Sequence, residues 1–211
     1  MNKERVIQTL LDTKVVAVIR VENSSELLDS AVALNKGGVK ALEITMTSPG
    51  ALEAIREANE QLGGDAVIGV GSVLDAATAR MAILAGAKFV VGPICDNEMI
   101  KMCQTYDVPC IPGAFTPTEI MRAWQAGADF IKIFPATKLG PSFIKDVKGP
   151  MPQVRLTPTG GIDLDNARDF IKAGASFVGA GSSLVNKKLI AEKKWDELTE
   201  LAARFIDTVN W

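Results

Sequence analysis

The sequence predicts an α/β protein, a (β/α)8 barrel of the TIM type preceded by an additional N-terminal helix. Three observations predict it. Short β-branched runs alternate with helical stretches along residues 1–211, and strands separated by helices form a parallel sheet. One phrase recurs as GGVKALEI, AGAKFVVG, AGADFIKI and AGASFVGA, placing Gly38, Gly86, Gly127 and Gly174 at intervals of 48, 41 and 47 residues. Each glycine reads as a helix C-cap leading into a strand. The repeat therefore holds two strands and two helices, and four copies make an eightfold array. Finally, no G-x-G-x-x-G follows the first strand, which disfavours the alternative of an open doubly wound sheet.

In chain order, a helix over residues 2–12 precedes strand one and caps the barrel bottom. Strands are expected at 14–20, 40–45, 66–72, 88–92, 109–113, 129–134, 154–159 and 176–181. Ser48 before Pro49 reads as an N-cap with proline at the first helical position. Thr116-Pro117-Thr118-Glu119 is a capping box. Asp163 reads as the cap of a helix running to Lys172. The segment from Lys187 to Trp211 reads as one amphipathic helix, with Leu198, Leu201, Ala202 and Phe205 on its apolar face and its lysines in solvent. No linker or composition break marks a second domain, so residues 1–211 are read as a single barrel domain.

Composition narrows the chemistry. Hydrophobic residues make up 47% and charged residues 23%, as in a soluble globular protein with a real core. A net charge of −2 gives no basic footprint for nucleic acid. No apolar run is long enough to span a bilayer, and MNKERVIQTLLDTK lacks the apolar region of a signal peptide. A cytoplasmic protein is expected. Cys95, Cys103 and Cys110 are odd in number and contain no C-x-x-C pair, so they read as packing residues. Histidine is absent, which removes imidazole as general base and as metal ligand. Chemistry is left to lysine, carboxylates, arginine, hydroxyls and backbone, and neither a metal nor a cofactor is expected.

Active sites of such barrels lie at the C-terminal strand ends. There the sequence offers Arg20 after strand one, Glu43 and Thr45 on strand two, Ser72 after strand three, Pro93 after strand four and Lys132 on strand six. Strand seven ends in Thr159-Gly160-Gly161, and strand eight ends in a stretch holding Gly181 and Ser182. Side chains alternate along a strand. Leu42, Ile44, Ile131 and Ile133 belong against the helices, which turns Glu43 and Lys132 inward with Phe130 and Phe134. A buried Glu–Lys pair could be structural, although such pairs stabilise weakly. The sharper reading makes Lys132 a nucleophile: desolvation favours a neutral amine, and a neutral amine forms a Schiff base with a carbonyl. Glu43 is then the proton shuttle. The two glycine-rich strand ends suit a phosphate or another anion, because glycine lets the backbone approach closely. Arg20 suits a substrate carboxylate, gripped by two hydrogen bonds, with Ser72 and Thr45 as hydroxyl donors.

In order along residues 14–185, the segments VVAVIR, LEITMTSPGALEAI, GVGSVL, VGPICD, IPGAFTPTE, FIKIFPA and TPTGGI…GAGSSL resemble the 2-keto-3-deoxy-6-phosphogluconate (KDPG) and 2-keto-4-hydroxyglutarate (KHG) aldolase family. The resemblance implies a class I aldolase on a (β/α)8 barrel, a homotrimer, acting on a small 2-keto acid and a phosphorylated aldehyde without cofactor or metal. It implies cleavage of KDPG to pyruvate and D-glyceraldehyde 3-phosphate, or of 4-hydroxy-2-oxoglutarate to pyruvate and glyoxylate. It makes Lys132 the Schiff-base residue and Glu43 the general acid/base. Thr159, Gly160, Gly161 and Ser182 would surround the phosphate end, and Pro93 and Phe134 would line the pyruvyl pocket. Many members carry an arginine where this chain has Thr47, so Arg20 is expected to take over the carboxylate contact. Cleavage of the 6-phosphogalactonate epimer, and a phosphosugar isomerase or epimerase with Glu43 as base, stay open as alternatives. So does a sugar-acid binding protein without catalysis.

Overall fold

The computed structural model describes residues 1–22 and 25–210; Trp211 of the expected last helix lies outside them. The strands are β1 (Val15–Ile19), β2 (Ala41–Thr45), β3 (Val67–Gly71), β4 (Val90–Val91), β5 (Cys110–Ile111), β6 (Gly113–Ala114), β7 (Ile131–Ile133), β8 (Leu156–Pro158) and β9 (Val178–Ala180). The helices are α1 (Lys3–Thr13), α2 (Ser25–Lys36), α3 (Ala51–Leu62), α4 (Ala76–Leu84), α5 (Asn97–Thr105), α6 (Pro117–Gln125), α7 (Gly140–Lys148), α8 (Ala167–Lys172), α9 (Lys187–Ala191) and α10 (Trp195–Val209). All strand pairings are parallel. They form a curled α/β arrangement of a six-stranded sheet, β5-β4-β3-β2-β1-β9, and a three-stranded sheet, β6-β7-β8.

The expected strand at 109–113 is broken in two, and Pro112 is the reason. Proline cannot donate to a ladder. Its carbonyl instead accepts from the Lys132 N–H at 2.8 Å, so β5 pairs back to β4 while β6 pairs forward to β7. Between β8 and β9, Thr159 bridges to Gly179 and the Ser176 N–H donates to the Leu156 carbonyl at 2.8 Å.

Gly38, Gly86, Gly127 and Gly174 all adopt positive φ, between 92° and 110°, the backbone that ends a helix and starts the next strand. The Thr116–Glu119 capping box is formed in both directions. Two other expected caps differ. Helix α3 starts after Gly50 without a side-chain cap, because the Ser48 hydroxyl accepts from the Val21 N–H at 3.2 Å and meets Thr45 Oγ1 at 3.2 Å. Asp163 does not cap α8 directly; its Oδ1 accepts from the N–H groups of Asp165 and Asn166 and shapes the turn before the helix. The expected single C-terminal helix is two, α9 and α10, separated where Lys193 takes a φ of 53°. The buried face of α10 holds Leu198, Ala202, Phe205 and Val209, while Leu201 is half-buried.

Two apolar clusters follow from strand alternation. Leu42, Ile44, Ile131 and Ile133 pack outward against the helices. Val16, Ala41, Val67, Phe89, Ile111, Phe130 and Phe177 pack together inside the curl, where Val6 and Leu10 of α1 join them. Phe130 and Phe177 meet edge to face at 4.9 Å. Burying Leu10 completely stabilises this lower plug by about 2 kcal/mol. Lys3 ties α1 to Asp129 at 2.9 Å, just before β7. The plug matters for the site because Lys132 stands two residues beyond Phe130 on the same face.

Candidate active site

A cavity of about 610 Å³ opens at the C-terminal ends of the strands. Of the residues the sequence singles out, Arg20, Glu43, Ser72, Pro93, Lys132, Phe134, Thr159, Gly160, Gly161, Gly181 and Ser182 line it. Thr45 does not. It is fully buried, and its hydroxyl lies 3.2 Å from both Ser48 Oγ and Thr47 Oγ1, so it holds the turn after β2 together. Thr47, where a family arginine is expected, is also absent from the cavity wall.

Glu43 and Lys132 form the floor. Both are buried, at 3% and 6% exposure. Glu43 pairs with Val18 on β1 and Gly69 on β3, and Lys132 with Gly113 and Thr157. The carboxylate fits because β3 ends in glycine: a methyl group on Gly71 would collide with the Glu43 carboxylate. Burial pushes the Glu43 carboxyl above its ordinary value, and the charges of Lys132 and Arg20 oppose that rise. Lys132 Nζ lies 4.9 Å from the centroid of the Phe134 ring, within cation–π range. The peptide bond between Phe134 and Pro135 is cis.

The walls differ in chemistry. On one side Arg20 Nη2 donates to Ser72 Oγ at 3.2 Å. Ser72 holds a left-handed φ of 59°, a costly backbone for a non-glycine residue, and this turn directs its hydroxyl at the guanidinium. On the other side Gly160 and Gly161 adopt φ of 96° and 70°. A side chain on Gly161 would collide with Thr137, and Gly181 has open space around it. The Ser183 hydroxyl donates to the Ile162 carbonyl and ties the loops after β8 and β9 into one surface.

Ser183, the last residue of the GAGSS stretch after strand eight, also lines the cavity, and so do residues that sequence reasoning missed: Val18, Ile162, Asp163, Val185 and Lys187. Asp163 was readable only as a helix cap. Lys187 sat in a run of lysines that reads as solvated, and it is indeed exposed, paired with Glu22 at 3.0 Å. Its place at the cavity mouth depends on how the chain turns after β9, which no local pattern encodes. Among the described residues, no three His, Cys, Asp or Glu side chains converge as a metal cluster, and no helix is long and apolar enough to cross a membrane.

A parallel α/β frame with an amine and a carboxylate buried under one cavity at its strand ends defines an α/β enzyme with carbonyl chemistry within reach. The family model for KDPG and KHG aldolase matches residues 6–201. A 2-dehydro-3-deoxy-phosphogluconate aldolase of Haemophilus influenzae is 37% identical over 210 residues, covering 98% of each chain. A KHG/KDPG aldolase of Escherichia coli is 32% identical, covering 92% of this chain and 91% of that one. Among solved structures, a Legionella pneumophila KDPG aldolase with pyruvate captured as a covalent carbinolamine superposes with a TM-score of 0.87 at 30% identity, covering 93% of this chain and 96% of that one. A native KDPGal structure gives 0.85 at 29% identity, covering 92% and 93%. The chain belongs to the KDPG and KHG aldolase family, and it is a carbon–carbon lyase of the aldolase type.

Proposed function

We propose that the protein is a class I aldolase cleaving 2-keto-3-deoxy-6-phosphogluconate to pyruvate and D-glyceraldehyde 3-phosphate, with 4-hydroxy-2-oxoglutarate as a further substrate. The observation that carries this reading is the pairing of buried Lys132 and buried Glu43 on one cavity floor, in a family whose Legionella member holds pyruvate covalently. The Lys132 amine adds to the C2 carbonyl, and loss of water gives the protonated imine. Glu43 takes the proton from the C4 hydroxyl as the C3–C4 bond breaks. The bonding pair flows into the imine, leaving an enamine and the free aldehyde. Protonation at C3 and hydrolysis release pyruvate and return the amine.

Arg20 and Ser72 hold the substrate carboxylate, with Arg20 serving where the family often uses the position of Thr47. Pro93 and Phe134 line the pyruvyl pocket. Thr159, Gly160, Gly161, Gly181 and Ser182 take the phosphate end. The bridge and hydrogen bond between β8 and β9 support reading the two sheets as one closed (β/α)8 barrel with α1 beneath it, a single domain over residues 1–211. A homotrimer in the cytoplasm fits the resemblance. A designed protein cage built by fusing symmetric oligomeric domains matches this chain with a TM-score of 0.85, which supports an oligomer.

Likeness to the KDPGal structure favours a second reading, cleavage of the 6-phosphogalactonate epimer. The test is mass spectrometry after incubation with pyruvate and borohydride. A reduced adduct on the Lys132 peptide is expected. A folded protein without one overturns the Schiff-base reading and moves the weight to an isomerase with Glu43 as base. Cleavage rates on the two epimers then choose between gluconate and galactonate.

A further inference from the structure

A second, small space of about 10 Å³, the room one water molecule needs, adjoins the open cavity and shares Glu43, Lys132 and Thr159 with it. Apolar residues such as Val16 and Phe177 line it together with Glu43, Lys132 and Thr157. Two buried atoms of the lining residues, Glu43 Oε1 and Thr157 Oγ1, have no hydrogen-bond partner among the described residues. Thr157 is 2% exposed and is the direct register partner of Lys132 across β7 and β8. Its side chain therefore shares the interior face with the amine. Burying a hydroxyl without a partner is unfavourable, and valine would fill the same place without that cost. A threonine here, lining the same small space as a residue whose carboxylate oxygen also needs a donor, is explained by a ligand between them.

We propose that Thr157 is a positioning residue for the aldol reaction, holding one water against the buried Glu43 Oε1. This rests on the reading of Glu43 as the acid/base group. The other carboxylate oxygen is left for proton traffic. The charged groups facing Glu43 are Lys132 from β7 and Arg20 after β1. Its β3 neighbours, Gly69 and Gly71, carry no titratable group, and Asp163 and Lys187 line only the outer cavity. Neither cation is placed to replace a donor at the buried Oε1, which has no partner among the described residues although both charges are present. Hydrogen bonding to the ionised form favours ionisation, so loss of the Thr157 hydroxyl makes Glu43 harder to ionise.

The test compares wild type with T157V and T157S. The carboxylic acid band of Glu43, identified by its loss in E43Q, is titrated by infrared spectroscopy in the unliganded protein, and the pH profile of kcat/KM for cleavage is recorded in parallel. T157V is expected to move both the titration and the acid limb upward by about one pH unit, with KM little changed. T157S is expected to restore wild-type behaviour. Should T157V not fold, T157A carries the same contrast. Identical infrared titrations for wild type and the hydroxyl-free variant overturn the inference, whatever the activity. If wild type traps no pyruvate on Lys132, the aldolase reading falls, yet the infrared titration still decides whether Thr157 acts on Glu43.

Discussion

The Glu43 carboxylate occupies the space that a side chain on Gly71 would fill. Two adjacent strands thus divide one volume: β2 supplies the functional group and β3 supplies its absence. Gly71→Ala forces the carboxylate off its position while leaving the sheet pairings intact. We expect kcat for aldol cleavage to fall about 100-fold, the usual cost of misplacing a reacting group by roughly 1 Å. Circular dichroism should remain that of the wild type. A variant with wild-type kcat would show that Glu43 need not stand where it does.

Lys132→Arg keeps the positive charge but removes the nucleophile, because guanidinium does not deprotonate near neutral pH. Turnover is expected to drop by at least about 1,000-fold and the borohydride-trapped pyruvate adduct to disappear. If Lys132 serves Glu43 only as a counter-charge, arginine preserves much of the rate. Measuring cleavage and trapping in the same preparation separates the two roles.

Gly161 combines a φ of 70° with contact against Thr137, so Gly161→Ala strains the backbone and displaces the loop after β8. The predicted effect is specific to one end of the substrate. KM for the phosphorylated substrate is expected to rise about tenfold, a loss of about 1.4 kcal/mol of binding. Condensation of pyruvate with glyoxylate, which carries no phosphate, is expected to change little. Equal losses on both would place the loop's role elsewhere.

How much of this was legible in the chain depends on range. Alternation alone turned Glu43 and Lys132 inward, because a strand period of two depends only on neighbours. The repeated glycines marked helix ends for the same local reason. The break at Pro112 was equally local, yet it was hidden by a run that otherwise reads as strand. Thr45 illustrates the opposite limit. It shares a face with Glu43, but Ser48 and Thr47 claim its hydroxyl, an arrangement set by the turn after the strand. Thr157 and Lys187 were invisible because their meaning comes from a neighbouring strand and from a loop path, not from their own surroundings in sequence.

The capping box of α6 offers a stability test separate from catalysis. Thr116 Oγ1 accepts from the Glu119 N–H at 3.3 Å, and the Glu119 carboxylate accepts from the N–H groups of Phe115 and Thr116, each at 2.8 Å. Thr116→Ala is expected to cost about 1 kcal/mol, lowering the Tm by roughly 2–4 °C in a chain of this size. The Phe115 and Thr116 N–H groups hold the Glu119 carboxyl below its ordinary range. A depressed carboxyl contributes stability above its unfolded value, and that contribution is lost as pH falls through the folded one. Glu119→Gln keeps an acceptor for the box but removes the charge. The Tm gap between wild type and Glu119→Gln should therefore be largest near pH 7 and close as the pH drops below the ordinary carboxylate range, as a series of thermal melts would measure. A gap that persists unchanged into acid would assign the effect to the shape of the side chain and not to its charge.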